Sequence, residues 1–292
     1  MASQVVVNIF VTICLYLLFA NSFATIYSSI RFFHLAHAIS LTLGAYIVYT
    51  ISIIWGWPLW VAVPLSVLFG VLLMLAVNQW IYNPLQKRNL ASWQMMIASL
   101  GLYVVLQNIV SMVWGDSTLS FRTWEVKAGH EILGAYITDV QIITIAASVL
   151  LLFGSWLFCE KTQTGRKIKA VSSNPELSNV LGISRDKAVI WSFVIGSGLA
   201  ACAGILIAAD TDMTPTIGFN WLLYAVVAMI IGGMGKMRYL ILGALLLATA
   251  QHLAAYYLDS KWMNATAYII LIIFLCFRPY GFSGKRIKKT EV

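Results

Sequence analysis

The chain is written mostly in apolar runs broken at intervals by short polar segments. Runs long enough to cross a bilayer, for which roughly 20 apolar residues are needed, fall at 5–29, 38–55, 59–81, 93–114, 140–159, 188–209, 219–234, 239–258 and 263–277. The pattern predicts an all-α polytopic membrane protein: one transmembrane domain over 1–292, a bundle of about eight or nine helices. The division is weakest at SSIRFFHLAHAIS, where Arg31, His34 and His37 interrupt an otherwise apolar stretch. A short broken or re-entrant segment there changes the count by one. The opening MASQVVVNIFVTICLYLLFA has no basic start and no small-residue cleavage site, so it is expected to remain as the first helix.

Composition agrees with this reading. Hydrophobic residues make up 60% of the chain and charged residues 10%, against about 25% charged in soluble domains. No sizeable soluble domain fits, so any chemistry lies between helices or in short loops. The four cysteines, Cys14, Cys159, Cys202 and Cys276, sit in or at the ends of apolar runs without metal-ligand spacing, and read as packing residues.

The net charge of +8 reads as topology, since Lys and Arg collect in cytoplasmic loops, and no nucleic-acid partner is expected. With the 160–187 segment inside, only Arg122, Lys127 and Lys261 fall outside, which leaves sixteen of the nineteen basic residues on one face. The N-terminus is then outside, and the C-terminus is cytoplasmic with its basic tail at 279–292. Trp55, Trp57 and Trp60 around Pro58 fit an interfacial aromatic belt. The external connection 115–139, with Phe121 and Trp124, either meets a soluble partner or caps the bundle.

The longest polar stretch is 160–187, EKTQTGRKIKAVSSNPELSNVLGISRDK, with six of the nineteen Lys and Arg. A loop of this size and charge is expected to be a docking surface. Asn174 before Pro175 disfavours helix at that position, whereas Pro175 and Glu176 make a good first turn. PELSNVLGI is therefore expected to form a short surface helix ending near Gly182, with Leu177, Val180 and Leu181 on one side.

Two other features suit a pathway. His34 and His37, three apart, would share a face of a helix; intramembrane ionisable groups either face a cavity or form interhelical hydrogen bonds, and both readings stand. Gly232, Gly233 and Gly235 in GGMG, followed by Gly243, permit either close helix packing or a helix that unwinds beside a cavity. LTLGAY at 41–46 and LILGAL at 240–245 form a faint internal repeat. Phosphate-loop, zinc-helix and nucleophile-elbow motifs are absent from the sequence, so hydrolysis of ATP by this chain is not expected, and no cofactor or metal is expected on it.

TQTGRKIKAVSSNPELSNVLGISRDKAVIWSFVIGSGLAACAGIL resembles the central signature of the integral membrane permeases of branched-chain amino acid ABC transporters, the LivH type. In the same order, FFHLAHAISLTLGAY resembles that family's N-F-A-H-G and L-G-A-Y segments, GGMG its G-G-x-G, and FRPYGFSGK its terminal R-P-x-G-L-x-G. The resemblance implies a permease subunit of the bacterial inner membrane. It implies as partners a second permease subunit, related or identical, two cytoplasmic ABC ATPases that bind the ATP, and a periplasmic or extracellular solute-binding protein. Gly165, Arg166, Ala170, Asn174, Pro175, Glu176, Leu177, Leu181 and Gly182 would then form the ATPase-coupling region. His34, His37, Gly44, Gly232, Gly233 and Gly235 would lie at the pathway or its inner gate.

The chain has H-L-A-H-A-I where the family has N-F-A-H-G-D, and Lys236-Met237-Arg238-Tyr239 after GGMG. These departures leave the solute open between branched-chain or hydrophobic amino acids and urea or another small polar molecule. An ion-coupled carrier acting alone, suggested by His34 and His37, and a membrane scaffold are the competing classes.

Overall fold

Backbone amides have no water to bond to inside a bilayer, so apolar crossing segments close their hydrogen bonds within helices. The computed structural model describes residues 2–88, 90–124, 129–132, 134–233, 237–278 and 281–283. Gly235, Lys236 and most of the 279–292 tail lie outside them. Every one of the nine apolar runs becomes a helix.

Helix α1 spans Ala2–Ile30, α2 Ala38–Tyr49, α3 Leu59–Val77, α4 Asn83–Lys87, α5 Ser92–Trp114, α6 Asp139–Lys161, α7 Gln163–Ser173, α8 Pro175–Val180, α9 Arg185–Asp210, α10 Ile217–Gly232, α11 Met237–Tyr257 and α12 Trp262–Phe277. A 3-10 turn at Leu35–His37 leads into α2, and wider π turns at Thr50–Ile54 and Asn78–Tyr82 extend α2 and α3. Among the described residues seven helical spans are long and apolar enough to cross a membrane, and α10 and α12 are shorter apolar helices.

The layers follow from residue size. In lipid, helices associate through close packing, which small residues permit. A Cβ on Gly204 of α9 would strike the Leu41 carbonyl of α2, one on Gly44 of α2 would strike the Ala201 backbone of α9, and one on Gly218 of α10 would strike the Ala38 carbonyl. These crossings make α2 and α9 the centre, with 67% and 61% of their apolar windows buried, against 17% for the peripheral α5 and α6.

Two differences from the sequence reading concern the connections. The 115–139 segment holds a two-stranded antiparallel hairpin, β1 His130–Ile132 with β2 Ala135–Ile137, tied to the start of α1 by Gln4 Nε2 donating to the Tyr136 carbonyl at 3.0 Å. Arg122, near the end of that segment's first half, is ion-paired to Asp212 and donates to the Asp210 carbonyl at 3.2 Å. The 160–187 stretch carries the expected short helix as α8 and more helix than expected before it: α6 runs on to Lys161, and α7 fills 163–173. Trp55, Trp57 and Trp60 are exposed at one end of the bundle, and Trp80 and Trp93 toward the other.

Candidate functional site

The α7–α8 elbow is built by a succession of caps. Thr162 ends α6, and its hydroxyl accepts from the Gly165 amide at 3.0 Å. Gly165 is there because a Cβ would strike the Phe158 carbonyl, so α7 folds back tightly on α6. Ile168 and Val171 pack with Ala188 of α9 in a small buried cluster, while Arg166 faces out and Lys169 is ion-paired with Glu160. The Ala170 carbonyl accepts the Asn174 amide at 3.0 Å as α7 closes.

Asn174 then caps α8. Its backbone is extended and its side chain accepts from the Leu177 amide at 3.1 Å, which satisfies one orphan donor of the helix start. Pro175 stands in the first turn, where a missing N–H costs nothing, with Glu176 favourable beside the positive helix end. Gly182, at φ +75°, stops the helix, a backbone that glycine adopts without Cβ penalty. Leu177, Val180 and Leu181 are 55%, 84% and 69% exposed. Three large apolar side chains spaced i, i+3, i+4 on a short polar helix form a stripe that none of the described residues covers.

Sequence reasoning counted Arg31 only as a charge. It follows α1 with φ 60°, and its guanidinium donates to the Ser172 and Ser173 carbonyls at 3.0 and 3.3 Å. Those are orphan acceptors at the end of α7. No local signal marks this contact, since its partners lie 141 residues away.

The histidines come together differently from a shared helix face. His34 precedes the 3-10 turn that contains His37, both are buried, and their ring centroids are 5.7 Å apart. His37 Nε2 lies 2.8 Å from Ser22 Oγ of α1. His34 Nδ1 lies 3.0 Å from Tyr82 Oη and 3.3 Å from Ser99 Oγ, with Tyr82 donating to Ser99 at 3.1 Å and the Ala36 amide donating to Ser99 at 3.0 Å. Tyr82 ends the π turn after α3, a distortion common at functional positions. Among the described residues His34 Nε2 and His37 Nδ1 have no hydrogen-bond partner.

The candidate gate glycines sit at packing contacts. Gly44 meets α9, a Cβ on Gly232 would strike the Tyr239 carbonyl, and Gly233, at φ +88°, ends α10. Gly235 is outside the described residues. Among the described residues no cluster of three or more His, Cys, Asp or Glu is placed to hold a metal ion.

A family model described as the branched-chain amino acid transport system / permease component matches residues 5–276. The chain belongs to this permease family. It is 27% identical over 289 residues to the high-affinity branched-chain amino acid transport permease LivH of Escherichia coli K12, covering 92% of this chain and 91% of that protein. It is 27% identical over 283 residues to BraD of Pseudomonas aeruginosa, covering 92% of each. PsaBC of Streptococcus pneumoniae, solved in complex with a Fab, superposes with a TM-score of 0.50 at 13% identity, over 94% of this chain and 91% of that one, a likeness of fold.

In this permease-family chain, two of the motifs that carry the resemblance are neighbours in space. Gly281 of FRPYGFSG, at φ +58°, lies where a Cβ would strike the Ile230 and Ile231 carbonyls, and the Phe282 amide donates to Ile231 at 2.9 Å. The end of α10 with its Gly-Gly turn is therefore held by the segment that follows α12.

Proposed function

We propose that this chain is the translocating subunit of an ATP-driven importer for branched-chain or similarly hydrophobic amino acids, with the α7–α8 elbow seated in a cytoplasmic ATPase. The observation that carries the reading is the exposed Leu177, Val180 and Leu181 stripe on a helix capped at both ends, within a chain whose family match runs from residue 5 to 276. A capped helix transmits a push as a body, so closure of the ATPases would rock the bundle between inward-open and outward-open arrangements. The solute class follows the names of LivH and BraD.

The remaining parts follow from that role. The chain binds no ATP, which sits on two ATPase partners, and it pairs with a second permease subunit, related or identical. A periplasmic or extracellular binding protein delivers the solute at the end that carries the β-hairpin and the Arg122 tie. The chain lies in the bacterial inner membrane with the N-terminus outside and the elbow and C-terminus inside, supported by sixteen of nineteen basic residues falling on one face. His34, His37, Gly44, Gly232, Gly233 and Gly235 border the path or its inner gate. The nitrogens of His34 and His37 that have no partner among the described residues favour a second reading of the solute, urea or another small polar molecule.

The test is co-expression of the chain with its ATPase, permease and binding-protein partners, followed by reconstitution in proteoliposomes. ATP inside the vesicles should drive leucine uptake. The triple substitution Leu177→Glu, Val180→Glu, Leu181→Glu should abolish uptake and co-purification of the ATPase while leaving the melting temperature of the isolated chain unchanged. Uptake by the chain alone, driven by an ion gradient and indifferent to ATP, would sink the reading. Uptake of urea without leucine would shift the solute and keep the mechanism.

A further inference from the structure

Beside the elbow, on a face that the α8 stripe does not use, the chain has a cleft of about 180 Å³ lined by Thr164 and Lys167 of α7, Gly182, Ile183 and Ser184 of the connection, and Lys187, Ala188 and Trp191 of α9. Its lining is graded. Lys167, Lys187 and Ser184 are exposed at the mouth, Ala188 is buried, and Trp191, 45% exposed, rests its ring 6.4 Å from that of Phe158 on α6.

The position is set by two spans. The apolar span of α6 ends at Lys161 and that of α9 begins at Arg185. The cleft therefore opens where hydrocarbon gives way to headgroups, with Trp191 in the second turn of the span, at a depth where Trp is favoured. Among the described residues neither Lys167 nor Lys187 belongs to an ion pair, whereas nearby Lys169 is matched by Glu160. Two lysines without an ion pair among the described residues line one concavity together with Thr164 and Ser184. A single water needs about 10–15 Å³ of such space, so the volume admits a phosphate with its hydration.

We propose that this cleft binds the phosphate headgroup of an anionic phospholipid, with Lys167 and Lys187 holding the phosphate and Trp191 lying along the start of the acyl chains. Anionic lipid is attracted to basic residues at the membrane surface by about 1 kcal/mol for each Lys or Arg. Because Gly182 to Ser184 form one wall, a bound lipid braces the connection between α8 and α9. The lipid site stands independently of whether an ATPase occupies α8.

The full-length protein, delipidated in detergent, would be titrated with phosphatidylglycerol, with phosphatidylcholine, and separately with millimolar inorganic phosphate, bound molecules being counted by native mass spectrometry. Phosphatidylglycerol should bind in preference to phosphatidylcholine. Lys167→Gln with Lys187→Gln should weaken that binding about fivefold per lysine and about thirtyfold together, and Lys167→Arg with Lys187→Arg should preserve it. Equal binding of the two lipids, or a Gln pair that binds phosphatidylglycerol as well as the parent, would overturn the proposal. Inorganic phosphate that protects the protein against heat as strongly as phosphatidylglycerol would reassign the cleft to a free anion and overturn its lipid assignment.

Discussion

The crossing of α2 and α9 and the elbow of α7 and α8 solve opposite problems. At the crossing, glycine lets two backbones touch, Leu41, Leu43, Leu199 and Ile205 beside them are buried, and the residues that matter are those with no side chain at all. At the elbow, caps hold two short helices in place so that large apolar side chains can be left uncovered. The difference separates cohesion from contact: the first region has nothing left to offer a partner, and the second spends little of its surface on the rest of the bundle.

The strongest way to break this contrast is on α9 itself. Gly204→Ala drives a methyl into the Leu41 carbonyl and should cost roughly 1–3 kcal/mol. Gly198→Ala meets Val71 Cγ2 at 3.6 Å and Val67 Cγ1 at 3.9 Å, both ordinary contacts, and should be neutral or slightly stabilising, because Gly is a poor helix former. Melting curves in detergent would compare them, and equal melting points would remove the argument for a backbone crossing. Next in size, Tyr82→Phe strips the hydroxyl shared by His34 and Ser99 and should lower stability by about 1–3 kcal/mol, since buried polar atoms lose a partner. An unchanged melting point would mean that the histidine cluster is not part of the core.

At the elbow the expected effects are smaller and local. Gly182→Ala forces a Cβ into a left-handed backbone, at roughly 1–2 kcal/mol, and should speed amide hydrogen exchange in 175–184 without moving global melting. Exchange that accelerates in α2 as well would show that the two regions are not separable. The smallest effect belongs to Arg122→Ala, whose partly exposed pair with Asp212 should contribute below about 1 kcal/mol and should weaken further in high salt.

The nine apolar helices were legible because burial in lipid imposes one rule on every residue of a run, and the bounds of α8 because Asn174, Pro175 and Gly182 act locally at its two ends. The helix α7 was not: Ile168 and Val171 are its main buried apolar residues, and they count as a face only once α9 supplies Ala188. The spacing of His34 and His37 brought their rings close, yet their hydrogen bonds run to Ser22, Tyr82 and Ser99 on three other segments, which local periodicity does not encode. In the same way, Gly232 and Gly44 announce close packing, but their opposing surfaces are chosen by tertiary structure. For Gly235 the question lies outside the described residues.

Arg31 gives the molecule a joint. Its backbone makes the bend between the first crossing and the 3-10 turn that starts α2, and its guanidinium grips the last carbonyls of α7. One residue thus belongs both to the turn that leads into α2 and to the cap of α7. A displacement of the elbow would therefore reach the start of α2 through this one side chain, in addition to the α6 and α9 helices on which α7 packs.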